Sequence, residues 1–367
     1  MIDRSLRDGL TRREWLWYGV TGLLFVILLY FADLGEFLVS LRDADLSLFL
    51  VALGVGFSSL LVWAWVWHRF FDKLGIPATV SQTIRMFLTG HFLNSITPLG
   101  QFGGEPIMAY IISESTGTDY ERALTSVVSS DIINAAPFFT FTLGGILYLS
   151  VITTLSEFLF RIGVIAAVIL TVGGIGAYLL WSDTKTLGGT VIGVVDWIER
   201  RIGRGERLFE SIRESILEVE TIFHEAGNDR IFLLETVLIS HLAIVAQIIS
   251  LYFVFLSMGI EPRFVPIYFI VTLSTIATLS PTPGGSGTYE AAFSGLMTIF
   301  YSVRLATALT AAVLFRLTTY WPGLVVGYIA MLTLNSAETD ETVDEDGENI
   351  ESDDHTLHDN ETTANRE

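Results

Sequence analysis

Long runs of apolar residues, separated by short polar segments, dominate the first 335 positions of the chain. A membrane-spanning helix needs roughly 20 mostly apolar residues to cross a hydrocarbon core about 30 Å thick. Six runs approach or exceed that length and predict spans at 15–32, 46–67, 123–154, 162–181, 231–258 and 305–334. We therefore expect an all-α, polytopic membrane protein with about six full spans.

Two shorter apolar runs, at 79–97 and 264–280, each lead directly into a cluster of prolines and glycines. Broken backbone is tolerated at membrane depth only where protein or a water-filled cavity satisfies its polar groups. The pattern therefore predicts two re-entrant hairpins that meet inside the protein. The first cluster is Pro98, Gly100, Gly103 and Gly104, followed by Glu105; the second is Pro281, Pro283, Gly284, Gly285 and Gly287, followed by Glu290.

The two clusters belong to an internal repeat. Three predicted spans separate the hairpins, and an odd number of crossings places the two copies in opposite orientations. The sequence thus indicates inverted-topology repeats, a plan in which transporters bind substrate at the repeat interface near the bilayer midplane. Six pairs of matching residues recur at separations of 182–185 positions: Gly75/Gly259, Pro77/Pro262, Pro98/Pro281, Glu105/Glu290, Arg122/Arg304 and Pro137/Pro322.

Positive charges set the orientation, because short cytoplasmic loops are enriched in lysine and arginine. Residues 1–14, 68–85 and 182–230 hold fourteen of the 21 lysines and arginines, so we expect these segments in the cytoplasm. The predicted domains are a cytoplasmic N-terminus at 1–14, a transmembrane domain at 15–335 and a disordered acidic tail at 336–367. Within the transmembrane domain, the repeat halves lie at about 46–155 and 231–334, joined through an amphipathic cytoplasmic connector at 182–230.

Charge is distributed unevenly along the chain, whose formal net charge is −19. The tail at 336–367 alone holds thirteen acidic side chains and one basic one, Arg366. Such a polar segment buries too little apolar surface to fold, and we expect it to be cytoplasmic. Strong acidity with almost no lysine suggests a high-salt organism, because salt screens the self-repulsion of an acidic surface.

The candidate functional residues gather at the two glycine clusters and deep in the spans. Glycines let the backbone approach a ligand closely, and the free N–H groups of the following helix suit a lipid phosphate. Glu105 and Glu290 either cap these helices, bind a cation or carry a proton. Asp131 and Arg316 lie well inside predicted spans, where charges pair or line a path, so they either pair with each other or contact substrate.

Three further polar residues have weaker signals. Arg122 lies near the start of a span, where it either snorkels to the interface or joins the substrate path. Asn94 and His91 precede the first cluster and could line it. The chain shows no nucleophile–base set, P-loop, metal motif or basic nucleic-acid surface, so we expect no enzymatic activity, no cofactor and no nucleic-acid partner.

The two clusters resemble those of the flippase-like membrane proteins related to the transmembrane region of lysylphosphatidylglycerol synthase, the UPF0104 group. The resemblance covers roughly residues 12–335. It rests on Asn94…Pro98-x-Gly100-x-x-Gly103-Gly104-Glu105, Arg122…Asp131, Pro281-x-Pro283-Gly284-Gly285-x-Gly287-x-x-Glu290 and Arg316…Pro322…Gly327. Met108 departs from the pattern, because family members often carry arginine or lysine there.

The resemblance implies lipid handling. In the synthase relatives this region moves an aminoacylated phospholipid between leaflets, so we expect a translocase for an amphipathic membrane lipid with a phosphate headgroup. Lipid synthesis itself is not implied. The alternative is a membrane subunit or scaffold for a separately encoded glycosyltransferase or lipid synthase, for which Arg200–Arg213 would form the docking surface.

Overall fold

The computed structural model describes residues 42–96, 104–152, 206–280 and 282–334, with scattered residues at 35–39 and 161–201. Within these residues every regular element is an α-helix or a 3-10 turn, in agreement with the all-α prediction. The predicted spans at 15–32 and 162–181 and the acidic tail at 336–367 lie outside the continuously described segments.

Three stretches of helix are long and apolar enough to cross a bilayer: Leu46–Lys73, Arg230–Ser257 and Leu305–Leu334. They match three of the predicted spans. The described helices are α1 (Leu46–Lys73), α2 (Val80–Ile96), α3 (Glu105–Thr116), α4 (Tyr120–Ile152), α5 (Glu206–Gly227), α6 (Arg230–Ser257), α7 (Phe264–Ile276), α8 (Thr288–Tyr301) and α9 (Leu305–Thr319), followed by a turn at Tyr320 and α10 at 321–334.

The helices before and after α5 form two sets in the same order. The starting residues pair as 46 with 230, 80 with 264, 105 with 288 and 120 with 305, so each helix recurs 183–185 positions later. We call α1–α4 the first half and α6–α10 the second half. Each half contains a short helix, a glycine-rich break and a second short helix between two longer helices.

The turn after the first helix is the same in both halves. Gly75 and Gly259 each adopt a φ of +68°, in the left-handed region that glycine enters without steric cost. The N–H of Ile76 donates to Phe71 O at 2.8 Å, and the N–H of Ile260 donates to Phe255 O at 2.9 Å. These bonds satisfy carbonyls that the helix end leaves free. The sequence match at these glycines therefore reflects one backbone conformation.

The two halves meet along α1 and α6, which run antiparallel. The N–H of Asp45, at the start of α1, donates to Ser257 O at the end of α6, at 2.7 Å. At the opposite ends, Lys73 Nζ lies 3.0 Å from Asp229 Oδ2. Ser250 Oγ donates to Ala52 O at 2.9 Å between them. The first helices of the two sequence repeats therefore point in opposite directions.

Each half has its own apolar core. Phe70, Phe71 and Met86 are fully buried in the first, while Phe269 and Phe293 are fully buried in the second. Close helix contact between the halves depends on small residues, because a Cβ on Gly56 of α1 would lie 2.5 Å from Thr318 O of α9. The result is two helical units fixed against each other along their first helices.

The connector helix α5 packs against α4 and buries Ile222, Phe223 and Ala226. Arg122, near the start of α4, holds this contact. Its Nη1 donates to Leu74 O at 2.8 Å and lies 3.5 Å from Glu225 Oε2 on α5. The structure therefore places Arg122 at a junction of helices.

Candidate functional site

The second glycine cluster forms a tightly folded break between α7 and α8. A 3-10 turn covers Ala277–Leu279 and another covers Pro283–Gly285. Gly284 has a φ of +55°, and a Cβ atom there would overlap the phenol of Tyr320. Only glycine satisfies both the backbone angle and the close approach of this ring. Pro281, predicted to belong to this site, lies outside the described residues.

Glu290 and Arg316 form a buried ion pair beneath this break. Their side chains are 3% and 4% exposed, and Arg316 Nη1 lies 3.4 Å from Glu290 Oε1. The other carboxylate oxygen of Glu290 accepts the N–H of Gly287 at 2.6 Å. Nη2 of Arg316 donates to Gly284 O at 2.9 Å. Glu290 thus caps α8 and also pairs with a buried cation.

The pair corrects one expectation from the sequence. Arg316 pairs with Glu290 rather than with Asp131, because Glu290 and Arg316 lie on packed neighbours, α8 and α9, within one half. Asp131 belongs to the other half, where its Oδ1 accepts the indole N–H of Trp67 at 3.2 Å.

Tyr320 connects the ion pair to the first half. The guanidinium of Arg316 lies 3.8 Å from the centre of its ring, a cation–π contact. Its hydroxyl is 3.5 Å from Ser95 O, near the end of α2. The ring of His91, also on α2, contacts the edge of Tyr320 at a centroid distance of 6.3 Å. The helix that leads into the first cluster therefore contacts the second cluster.

The first glycine cluster is described only from Gly104 onward, so Pro98, Gly100 and Gly103 lie outside the described residues. Gly104 precedes α3, and a Cβ there would overlap Oδ1 of Asn94. Glu105 is the first residue of α3, which packs against α4, the helix that carries Asp131. In the described part of the chain neither carboxylate forms an ion pair.

Two residues of the site were missed from the sequence, and each had some signal. Tyr320 follows Arg316 by four positions, a spacing that places side chains together on a helix. Trp67 looked like one more aromatic residue of a span, although its indole N–H needs a partner when buried.

Met108 is buried against Gly90, and its Cγ lies 3.0 Å from the position that a Cβ on Gly90 would occupy. An apolar side chain fits that position.

The proposed docking surface at Arg200–Arg213 is described only in part. Arg213 donates from Nε to Asp196 Oδ1 at 2.9 Å, so part of its charge is already neutralised within the chain.

These observations define a class of helical membrane protein. Its two matching halves meet at an antiparallel junction, and a buried ion pair lies at a glycine break. The chain belongs to the family described as the lysylphosphatidylglycerol synthase TM region, whose model matches residues 16–327. The match spans both halves and both glycine clusters.

Similar proteins carry the name UPF0104 membrane protein. One from Methanothermobacter thermautotrophicus is 26% identical over 333 residues, which cover 89% of this chain and 96% of the relative. One from Pyrococcus horikoshii is 27% identical, over 86% of this chain and 94% of the relative. A third, from Methanocaldococcus jannaschii, is 26% identical over 73% of this chain and 79% of the relative. The likeness therefore extends over most of each protein.

Proposed function

We propose that the chain is a lipid translocase that moves a phosphate-containing amphipathic lipid between the two leaflets of the cell membrane. The observation that carries this proposal is the ion pair of Glu290 and Arg316, buried beneath a glycine break and contacted by the other half. Charged residues inside membrane proteins are costly to bury and usually mark substrate or ion pathways. Membership of the synthase TM family supports a lipid as the substrate.

The two glycine breaks act as re-entrant hairpins in this proposal. At about 1.5 Å per residue, the 17 residues of α2 and the 13 of α7 are shorter than a bilayer core of about 30 Å. A chain that breaks after such a helix and continues as another short helix returns towards the side it came from. The antiparallel α1 and α6 support an inverted arrangement of the two halves.

The lipid headgroup passes between the halves, and the acyl chains stay in the bilayer. Glu105 and Glu290 gate the passage or couple it to an ion, while Asp131 and Arg316 line it. The sequence carries no nucleotide-binding motif, so movement is downhill or ion-coupled. The N-terminus and acidic tail face the cytoplasm, and the activity is transport rather than catalysis.

The proposal is tested by lipid movement in proteoliposomes at high salt, which the acidic composition favours. Fluorescent lipids with anionic, zwitterionic and cationic headgroups are followed with a membrane-impermeant quencher. We expect faster exchange with the wild type than with the double variant Glu105→Gln/Glu290→Gln, and fastest exchange for the anionic phospholipid. A folded wild type that moves no lipid faster than empty vesicles would exclude a translocase and favour the partner-subunit alternative.

A further inference from the structure

Arg316 is buried without using all of its hydrogen-bond donors. Only 3% of the residue is exposed, and Nη2 already donates to Gly284 O. Among the residues that the structure describes, Nη1 has no hydrogen-bond partner, and the Glu290 carboxylate oxygen paired with it is 3.4 Å away. Buried donors without a partner are rare in native proteins and costly, more so when charged. The unused donor indicates a place for a further acceptor.

A second unused polar atom lies beside the same ring. Nε2 of His91 is buried and has no hydrogen-bond partner among the described residues. His91 and Arg316 both contact Tyr320, His91 at the edge of its ring and Arg316 over its face. One of these residues comes from each half of the molecule. An acceptor bound between them would therefore contact both halves at once.

The Glu290 carboxylate is the anion that pairs with Nη1 of Arg316 when no ligand is bound. It lies at the N-terminal end of α8, a 14-residue helix, where one oxygen accepts the N–H of Gly287. The positive end of a helix dipole together with an arginine is a general anion-binding arrangement. Glu290 supplies that anion from within the chain, but its approach to Nη1 is too long for a good hydrogen bond.

We propose that a phosphate group binds at Arg316 and His91 by displacing the Glu290 carboxylate, which acts as an internal substitute for the ligand. A phosphodiester offers two anionic oxygens, which match the fork of a guanidinium better than one distant carboxylate oxygen does. The exchange leaves the buried charge of Arg316 paired throughout. This binding site depends on the proposed lipid translocase only for the source of the phosphate, which would be a lipid headgroup.

The test measures phosphate binding to the full chain in detergent by calorimetry. Two probes are titrated separately: inorganic phosphate, and dihexanoyl phosphatidylglycerol below its critical micelle concentration. We expect Glu290→Gln to bind about tenfold more tightly than the wild type, because the competing charge is lost while the amide oxygen still caps Gly287. Arg316→Lys keeps the charge but loses the fork, so we expect it to bind about tenfold more weakly.

Glu235→Gln is the matched control, because it removes the same charge from a side chain that is 56% exposed and pairs with Arg69. We expect no change in phosphate affinity for it. Tighter binding of only the lipid identifies a headgroup site, tighter binding of only inorganic phosphate identifies a free-anion site, and tighter binding of both supports recognition of the phosphate itself. If folded Glu290→Gln binds neither probe more tightly than the wild type does, the proposal that phosphate displaces the Glu290 carboxylate is wrong.

Lipid movement by the same variants separates the two proposals. If Glu290→Gln binds phosphate more tightly but the wild type moves no lipid, the phosphate site is supported and the translocase is excluded. If the wild type moves lipid but Glu290→Gln binds phosphate no more tightly, the translocase is supported and the phosphate site is excluded.

Discussion

The two halves share a helix order but differ in charge at corresponding positions. Asp131 stands eleven residues after Tyr120, the first residue of α4, and Arg316 stands eleven residues after Leu305, the first residue of α9. In the second half Arg316 neutralises Glu290. In the first half the corresponding position is acidic, and Glu105 and Asp131 lie on two helices, α3 and α4, that pack against each other. One half therefore holds a carboxylate paired with a cation, and the other holds two carboxylates with no ion pair among the described residues.

The position of each glutamate on its helix explains a further part of the difference. Glu290 is the third residue of α8, from which a side chain reaches back to the N–H before the helix. Glu105 is the first residue of α3 and makes no such cap. A shift of two positions therefore separates a carboxylate that is held on both oxygens from one that is half-buried and forms no ion pair with the described residues. Glu105 is the freer of the two to change its charge or its contacts.

The largest effect is expected from Arg316→Met. This change leaves the Glu290 carboxylate buried without its cation, and breaking a buried pair in this way costs about 3–5 kcal/mol. The free energy of unfolding, measured by denaturant titration in micelles, should fall by that amount. The double variant Glu290→Gln/Arg316→Met should recover a large part of the loss. A loss of under about 1 kcal/mol would mean that the pair is not buried as described.

The second effect compares the glycines that precede the two short helices. Gly284→Ala forces a side chain into a left-handed backbone and against Tyr320, so we expect a loss of about 2–3 kcal/mol. Gly104 has an ordinary φ of −81°, and a Cβ atom there would clash with the side chain of Asn94, which can rotate away. Gly104 is the N-cap of α3, a position where glycine is preferred to alanine, so we expect a loss of about 1 kcal/mol there. Equal losses at both sites, measured by the same titration, would contradict the distinction.

The third substitution should stabilise the protein, unlike the first two. Asp131→Asn removes a carboxylate whose charge is disfavoured first by burial and then by Glu105, and it keeps an oxygen to accept the N–H of Trp67. We expect a gain of about 1 kcal/mol in the free energy of unfolding, since burial and a like charge nearby both disfavour the ionised form. Asp196→Asn, which disrupts an existing pair with Arg213, is the control and should give no gain. A loss in Asp131→Asn would indicate an undetected cation beside it.

Much of this comparison could be predicted from the sequence. Apolar runs located α1, α6 and α9 with α10, and the matching pair Gly75/Gly259 coincides with the shared turns, because spans and left-handed turns depend on local composition. The pairing of Arg316 depended on how α8 packs against α9. The partner of Asp131 lies 64 positions away in Trp67, on the other side of the first glycine cluster. No local rule connects those two residues, so only the structure could identify their contact.

The smallest effect concerns a feature that the two halves share. Asp45 caps α1 and Asp229 caps α6, at the start of corresponding helices. The hydroxyl of Ser47 and the N–H of Leu48 lower the pKa of Asp45. The N–H of Phe232 and the Lys73 ammonium lower the pKa of Asp229. Both carboxylates therefore stabilise the folded chain above their unfolded pKa of about 4, and this contribution is lost as the pH falls through their lower folded pKa values.

Asparagine caps helices about as well as aspartate but does not titrate in this range. The double variant Asp45→Asn/Asp229→Asn should therefore be slightly less stable than the wild type at pH 7, where both carboxylates are charged, and lose less stability between pH 5 and pH 3. The measurement is the thermal unfolding midpoint at each pH, with Asp72→Asn as the control for a carboxylate that caps no helix. If the variant and the wild type lose stability in parallel, neither cap contributes to the acid response, and the shared caps would be only a matter of geometry.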